Sequence, residues 1–381
     1  MAVMDASVFS PPSMGGRWTL RGDCSSEQRV SSDLATLGSS LRAAFGKRLK
    51  LALVVGGFAR GEGAMSLVEG SLVPHNDYDL LALVEPSLPG DTRRRIELEN
   101  TWTRKLGVHV EIAFIDDSTL KHPPHTLFWL DVSLGGARVI AGDSSMLSEL
   151  PQLRARQIPL DEAGRLLANR AVGLALSSLD GPEAIEAVKV RHLHKAVLAC
   201  GDALLLSADR YTSSLEKRLE ALMMLGDAPA VGAWLVDAYA DAIAYRLDTT
   251  SWRPDRESTS VWFSRVKRLV AERHLAFEHW RVGAPVEVAA FVGHSSELFE
   301  TRADARLDPR LAAARAFLAG AAPLFPFVGH PRERLARVAI GLAYDRDGTG
   351  RRSALNLLGL PHTAGDDAVR ASLLRLRSVG S

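Results

Sequence analysis

The feature that most constrains the fold is an apolar strand that runs into paired glycines and is followed by two alternating aspartates. The predicted strand covers residues 51–55, and the glycine-rich residues 56–63 follow it directly. Asp77 and Asp79 then open a second apolar run. Residues two apart in a strand point to the same side, so the two carboxylates should aim at one point.

Two carboxylates held this close repel each other unless a cation or a proton lies between them. A hard divalent ion with oxygen ligands fits such a pair, and Mg²⁺ is the expected ion, with Mn²⁺ as a possible substitute. Gly56 and Gly57 at the end of the preceding strand expose backbone N–H groups and let a phosphate approach closely. Together these features predict a site for a metal-bound triphosphate.

This arrangement resembles the nucleotidyltransferase superfamily, which includes DNA polymerase beta and kanamycin nucleotidyltransferase. The family motif is an apolar strand, a Gly-Gly or Gly-Ser pair, a spacer and an Asp-x-Asp pair, with a third acid on a later strand. Gly56 and Gly57 match the glycine pair, and Asp77 and Asp79 match the metal-binding pair. The resemblance covers roughly residues 40–145 and is nearest in style to the kanamycin-type small-molecule enzymes.

The resemblance implies a third carboxylate on a later strand. The predicted strand 108–115 contains Glu111, which is the candidate, and Asp116 and Asp117 at its end are the reserve candidates. A lone charge in an apolar strand is costly to bury, and a nearby metal ion would remove that cost. The expected catalytic and metal-binding set is therefore Asp77, Asp79 and Glu111.

The chain departs from the family pattern in two ways. The second glycine position is often serine in the family, where the hydroxyl helps to hold phosphate, but here it is Gly57. Phosphate contacts must then come from backbone N–H groups or from Arg60, unless Glu62 neutralises Arg60 as a structural pair. The spacer before Asp77 is also longer than usual, and residues 64–73 within it predict a small inserted hairpin.

Composition limits the class of protein and its partners. The chain has 381 residues and 46% hydrophobic content, enough for two domains with cores of their own. Its 46 basic and 45 acidic residues nearly balance, so a nucleic-acid partner is not expected. Cys24 and Cys200 are far apart, which suits a reducing cytoplasm. No apolar run approaches the ~20 residues needed to cross a bilayer, so a cytoplasmic protein without a membrane partner is expected.

The pattern along the chain predicts an α+β protein. Residues 1–24 read as a loose N-terminal tail. Residues 25–150 should form a nucleotidyltransferase domain with a small mixed β-sheet backed by helices, and residues 151–381 an all-helical domain. The stretch after about residue 300 could form a separate helical piece.

The predicted elements follow from apolar periodicity and from capping residues. The first helix is expected to begin at the cap Ser32-Asp33. The predicted helices are 32–45, 91–106, 160–179, 183–206, 212–225, 229–247, 256–280, 306–320, 331–344 and 366–378, and a further helical stretch begins at Pro123-Pro124, runs through Phe128 and Leu130 and ends at Gly135-Gly136. The predicted strands are 51–55, 78–84, 108–115 and 138–141.

The helical domain offers one further candidate contact. His192, Lys195 and Asp202 fall on one helix face, opposite an apolar stripe. Lys195 could neutralise triphosphate charge across a cleft, although a solvated face would show the same pattern. Tyr211 and Arg218 are weaker candidates in the next segment.

These features lead to an expected function. The resemblance implies a metal-dependent nucleotidyltransferase that moves AMP from ATP to a hydroxyl acceptor, on a small molecule or a protein, and releases pyrophosphate. Asp77, Asp79 and Glu111 would hold the metal, and Gly56, Gly57, Arg60 and Lys195 would contact the nucleotide. The alternative is a catalytically silent nucleotide-binding module that regulates a partner through its helices.

Overall fold

A computed structural model describes residues 16–20, 22–68, 71–179, 186–226, 233–247, 258–294, 297–299 and 330–380. The prediction of an α+β protein with a small mixed sheet and a helical C-terminal region is confirmed. The chain forms two compact units. The first comprises Met1–Gln157, Thr212–Leu215 and Ala244–Ser251, and the second comprises Ile158–Tyr211, Glu216–Ile243 and Trp252–Ser381.

The first unit contains a four-stranded sheet and a separate hairpin. The strands in chain order are β1 Leu49–Val55, β2 Met65–Val68, β3 Ser71–Pro74, β4 Tyr78–Val84, β5 Val110–Ile115 and β6 Ala137–Gly142. The sheet order is β5-β4-β1-β6; β1 is antiparallel to both neighbours, and β4 is parallel to β5. The hairpin predicted within residues 64–73 is confirmed as the antiparallel pair β2 and β3, while residues 69 and 70 lie outside the described part of the chain.

The helices of the first unit are α1 Cys24–Phe45, α2 Asp91–Leu106, α3 Asp117–Lys121 and α4 Leu127–Ser133. The prediction that α1 begins at Ser32-Asp33 is wrong, because the Asp23 carboxylate accepts the Ser26 N–H at 2.9 Å and caps the helix there. Asp33 lies inside the helix, where it accepts a hydrogen bond from the Tyr78 hydroxyl at 3.0 Å. Ser32-Asp33 therefore has the sequence of a helix cap but lies inside the helix.

The core of this unit lies between α1 and one face of the sheet. Leu34, Leu37 and Leu41 project from α1 at helical spacing and are buried against Val54 of β1 and Leu80 of β4. Alternate residues of β4 face the other way. The sheet therefore directs Asp79 away from α1.

Residues 16–20 and 22–24 are not a loose tail. Thr19 is almost fully buried and forms a bridge with Gly63, whose N–H donates to the Trp18 carbonyl at 3.1 Å. Glu27 accepts the N–H groups of Trp18 and Thr19 at 2.7 and 2.8 Å. Residues 1–15 and 21 lie outside the described part of the chain.

The described elements after Gln157 are helical. They are α5 Leu160–Leu179, α6 Glu186–Ser207, α7 Leu215–Met224, α8 Ala233–Leu247, α9 Thr259–Val282, α10 Val288–Val292, α11 Pro331–Ala343, α12 Thr349–Leu358 and α13 Asp366–Gly380. The first residue of α7 and the end of α8 belong to the first unit. The predicted helix 306–320 lies outside the described residues. The described helices after residue 330 belong to the second unit.

No helix in the described ranges combines the length and the apolar character needed to span a membrane.

Candidate functional site

The glycine turn, residues 56–61, follows β1 and has a defined backbone geometry. Gly56 has φ +77° and Gly61 has φ +76°, conformations that glycine adopts without strain. The Glu62 N–H donates to the Gly57 carbonyl at 2.8 Å, and the Gly61 N–H donates to the Phe58 carbonyl at 3.1 Å. These two hydrogen bonds form the Schellman motif, which ends α-helices, so the segment is a single helical turn.

A helical turn leaves the N–H groups at its start without partners in the same turn. Here the Gly56 N–H donates to the Gly136 carbonyl at 3.0 Å. Within the described ranges, the N–H groups of Gly57, Phe58 and Ala59 have no hydrogen-bond acceptor. Such groups favour a negative ligand, as the sequence predicted for Gly57, whereas the Gly56 N–H is engaged by Gly136 and is not the exposed phosphate donor that was expected.

The first acidic side chain of the site lies directly at this turn. In the β1–β4 register, Asp79 pairs with Val55, the residue before Gly56. A Cβ atom added to Gly56 would lie 3.5 Å from Asp79 Oδ2. The sheet therefore places a carboxylate beside the glycine turn.

Three acids are electrostatically coupled here. Asp79 and Glu111 are partners in the parallel pairing of β4 and β5 and so share a face of the sheet, and Asp77 lies two residues before Asp79, just ahead of β4. Burial by the surrounding protein, followed by the negative charges of Asp77 and Glu111, raises the pKa of Asp79 to about 6. Solvent still reaches Asp79, so the carboxylate is both accessible and close to other acids.

The chemistry of this cluster fits a divalent cation, because ionised carboxylates that repel one another are favourable ligands for a hard ion. In the described part of the chain, however, no three His, Cys, Asp or Glu side chains already lie close enough to hold a metal ion. A site made of Asp77, Asp79 and Glu111 would therefore require the side chains to move together. The metal set remains a prediction.

Two residues that the sequence analysis did not select also act on Asp79. The charges of His109 and Arg246 both lower the pKa of Asp79, opposing the acids. His109 could have been found, because it precedes Glu111 by one strand period. Arg246 carries no such signal, because it lies on α8, far along the chain, in a helix of ordinary composition.

Arg60 is held differently from the predicted phosphate contact. Its Nε donates to Glu62 at 2.8 Å, its Nη1 lies 3.6 Å from Asp131, and only 8% of its side chain is exposed. Glu62 also accepts the Leu215 N–H at 2.8 Å. The geometry favours the structural alternative, in which Arg60 and Glu62 fasten the end of the glycine turn.

The reserve candidates for the third carboxylate have other roles. Asp116 accepts the Thr119 N–H at 2.6 Å and caps α3, while Asp117 pairs with Lys121 at 2.7 Å. Both residues follow Ile115, the last residue of β5, which pairs with Leu83 near the end of β4. Asp79 lies at the beginning of β4, so Asp116 and Asp117 are at the other end of this strand pair. Glu111 is therefore the third acid that the sheet places with the pair.

The helical-domain candidates lie in the second unit and do not share one environment. Lys195 is exposed on α6, and its role as a nucleotide contact remains a prediction. Asp202 is buried and accepts hydrogen bonds from the Tyr239 hydroxyl at 2.7 Å and from Arg218 at 3.2 Å. The Arg218 guanidinium lies 4.1 Å from the centre of the Tyr211 ring. Asp202, Arg218 and Tyr211 therefore form a buried network, and Asp202 does not share an exposed face with Lys195.

The chain matches no known family model and no curated protein. Its function must therefore be inferred from its own residues and their geometry.

Proposed function

We propose that this protein is a metal-dependent nucleotidyltransferase that moves AMP from ATP to a hydroxyl acceptor and releases pyrophosphate. One observation carries the proposal: the Asp79 carboxylate lies beside Gly56 of the glycine turn and in register with Glu111. The turn proposed to hold phosphate and the acids proposed to bind the metal ion thus lie at the same end of the sheet. This is also the arrangement that the resemblance to the nucleotidyltransferase superfamily implies.

The raised pKa of Asp79 supports a cation at this position. Ionised Asp79 is unfavourable because of burial and then because of the charges of Asp77 and Glu111, and a divalent cation bound to the carboxylates would offset that penalty. Bound Mg²⁺, or Mn²⁺ in its place, would neutralise triphosphate charge and position the reacting oxygens. Asp77, Asp79 and Glu111 are the residues that would hold it.

The remaining groups of the site would position the nucleotide. The N–H groups of Gly57, Phe58 and Ala59 would donate to phosphate oxygens. The acceptor oxygen then forms a bond to the α-phosphorus while the bond from that phosphorus to the β-phosphate oxygen breaks. Pyrophosphate leaves, and the hydroxyl proton passes to a carboxylate of the cluster.

The proposal assigns different tasks to the two units. Residues 25–150 would bind the nucleotide, and the helical second unit would carry the determinants of acceptor choice. The acceptor is a hydroxyl on a small molecule or a protein. Nucleic acid is not the expected acceptor, because basic and acidic residues nearly balance.

The test compares charge-removing variants with a matched control. The protein is incubated with α-labelled ATP, Mg²⁺ and a panel of hydroxyl acceptors, and both pyrophosphate release and label transfer are measured. Asp77→Asn and Asp79→Asn should each reduce turnover at least about 100-fold, because the charge on which metal binding depends is lost. Asp116→Asn should keep wild-type turnover, because asparagine also caps a helix.

Two results would contradict the proposal. Turnover that survives in both Asp77→Asn and Asp79→Asn would exclude the assigned role of these acids. Tight binding of ATP and Mg²⁺ by the wild type, without turnover on any acceptor, would favour the catalytically silent regulatory module.

A further inference from the structure

The side chain of Arg246 approaches the glycine turn on the side where Asp79 lies. Arg246 lies on α8, in the segment Ala244–Ser251 that belongs to the first unit. If Gly57 carried a Cβ atom, the nearest atom to it would be Arg246 Nη2, at 3.6 Å. The guanidinium therefore lies directly over the glycine that was expected to admit phosphate.

The position of Arg246 differs from that of the other arginines around the turn. Arg60 is engaged by Glu62 and Asp131, as described above. Arg138 lies near Gly61 at the far end of the turn, with its guanidinium 4.8 Å from the centre of the Trp18 ring. Arg246 is close enough to Asp79 for its charge to act on that carboxylate.

We infer that Arg246 binds a phosphate oxygen of the nucleotide at Gly57, in the role that the sequence analysis gave to Arg60. This inference rests on the proposed function, because it requires a polyphosphate at the turn. A planar guanidinium donates two parallel hydrogen bonds to one phosphate group, and the neighbouring Gly57 N–H, which has no acceptor in the described ranges, would donate to the same phosphate.

A purely structural role for Arg246 predicts different behaviour. If the arginine served only as a counter-charge for Asp79, its loss would change the stability of the fold and leave affinity for polyphosphate unchanged. If it binds phosphate, its loss weakens polyphosphate binding. Binding of Mg²⁺ alone should then be unchanged or tighter, because a positive charge beside the carboxylates has been removed.

The experiment measures binding by calorimetry for wild type, Arg246→Ala, Arg246→Lys and the control Arg93→Ala. Arg93 belongs to the first unit, and 86% of its side chain is exposed. The probes are ATP with Mg²⁺, inorganic tripolyphosphate with Mg²⁺, and Mg²⁺ alone. Arg246→Ala should weaken binding of both polyphosphates by about 10-fold or more. Arg246→Lys should weaken it by less, because lysine keeps the positive charge but lacks the planar guanidinium that donates two parallel hydrogen bonds. Arg93→Ala should bind like the wild type.

The outcomes separate this inference from the proposed function. Wild type that binds both polyphosphates while both Arg246 variants bind them equally well would overturn the inference alone. Wild type that binds neither probe would overturn the proposed function and the inference with it. An Arg246→Ala variant that loses polyphosphate and Mg²⁺ binding together, with Arg246→Lys unaffected, would show that the whole site had been disrupted rather than one phosphate contact removed, and it would also overturn the inference.

Discussion

Asp79 and Glu111 are direct partners in the parallel pairing of β4 and β5, so two carboxylates project from one face of the sheet at the same level. Burial, followed by the negative charges of nearby Asp77 and of Glu111, raises the pKa of Asp79 to about 6. Like charges on adjacent strands destabilise a fold. Such an arrangement is typical of functional sites, where local stability is given up for chemistry.

Removing the charge of Asp79 should stabilise the protein in the absence of metal. A carboxyl group whose pKa is raised by folding favours the folded state below its unfolded pKa, near 4, and this contribution is lost as pH rises through about 6. Asp79→Asn should therefore be more stable than wild type at pH 8, by about 1 kcal/mol after allowing for solvent screening. Urea unfolding in EDTA between pH 4 and 8 measures this difference, which should shrink as pH falls.

Asp116 is a control whose pKa is shifted in the opposite direction to that of Asp79. Its hydrogen bonds to Thr119 lower its pKa, so its charge stabilises the fold above the unfolded pKa, and that contribution is lost as pH falls. Asp116→Asn should therefore bring no gain in stability at pH 8. An Asp79→Asn protein less stable than wild type at pH 8 would show that the three acids do not repel one another in solution.

Mg²⁺ should raise the thermal stability of the wild type in a pH-dependent way. A ligand at ten times its Kd stabilises the folded state by about 1.4 kcal/mol. Protons compete for Asp79 as pH falls through about 6, so the stabilisation should fade below that pH. Differential scanning fluorimetry with a Mg²⁺ titration at pH 5 and pH 8 measures both effects. The prediction fails if Asp79→Asn responds to Mg²⁺ as strongly as the wild type does.

The sequence predicted the elements whose patterns are strong and local. Strand β4 and helices α2 and α5 have the predicted bounds, because their apolar periodicity and flanking breakers are clear. The closeness of Asp79 and Glu111 was also expected, because the superfamily motif that the sequence resembles has a third acid on a later strand. Residues 16–20 were misjudged because their partners, Gly63 and Glu27, are defined by tertiary contacts rather than by local composition.

The cationic part of the site could not be predicted in the same way. Arg60 stands in the glycine turn, where local sequence suggests a phosphate contact, but the fold brings Asp131 and Glu62 to it. Arg246 comes from a distant helix and is placed at Gly57 only by tertiary packing. Sequence spacing reports on neighbours within a strand or a helix, and it carries no information about such contacts.

Glu62 should contribute strongly to stability. Its carboxylate accepts hydrogen bonds from Arg60 and from the Leu215 N–H, and only 10% of its side chain is exposed. Glu62→Ala would leave a buried guanidinium and a buried N–H group less well satisfied, so it should cost about 2–3 kcal/mol. Glu97→Ala is the matched control, because Glu97 forms an exposed pair with Arg93 and should change stability by less than about 1 kcal/mol. Equal unfolding midpoints in urea for the two variants would exclude this role.

Gly63 should tolerate no side chain, although its φ is not in the left-handed region. A Cβ atom there would collide with the ring of Phe58 and would lie 2.7 Å from the Trp18 carbonyl oxygen. Phe58 cannot easily swing away, because it is almost fully buried and its ring centre lies 4.9 Å from that of Tyr78. Gly63→Ala should therefore destabilise the protein by about 1–3 kcal/mol and weaken ATP binding, since the glycine turn must shift. Gly57→Ala adds the same methyl group with only an ordinary contact, so its unfolding midpoint should stay close to that of the wild type. If urea unfolding finds Gly63→Ala as stable as Gly57→Ala, and calorimetry finds that Gly63→Ala binds ATP as tightly as the wild type, the packing of residues 16–20 against Gly63 does not hold the turn in place.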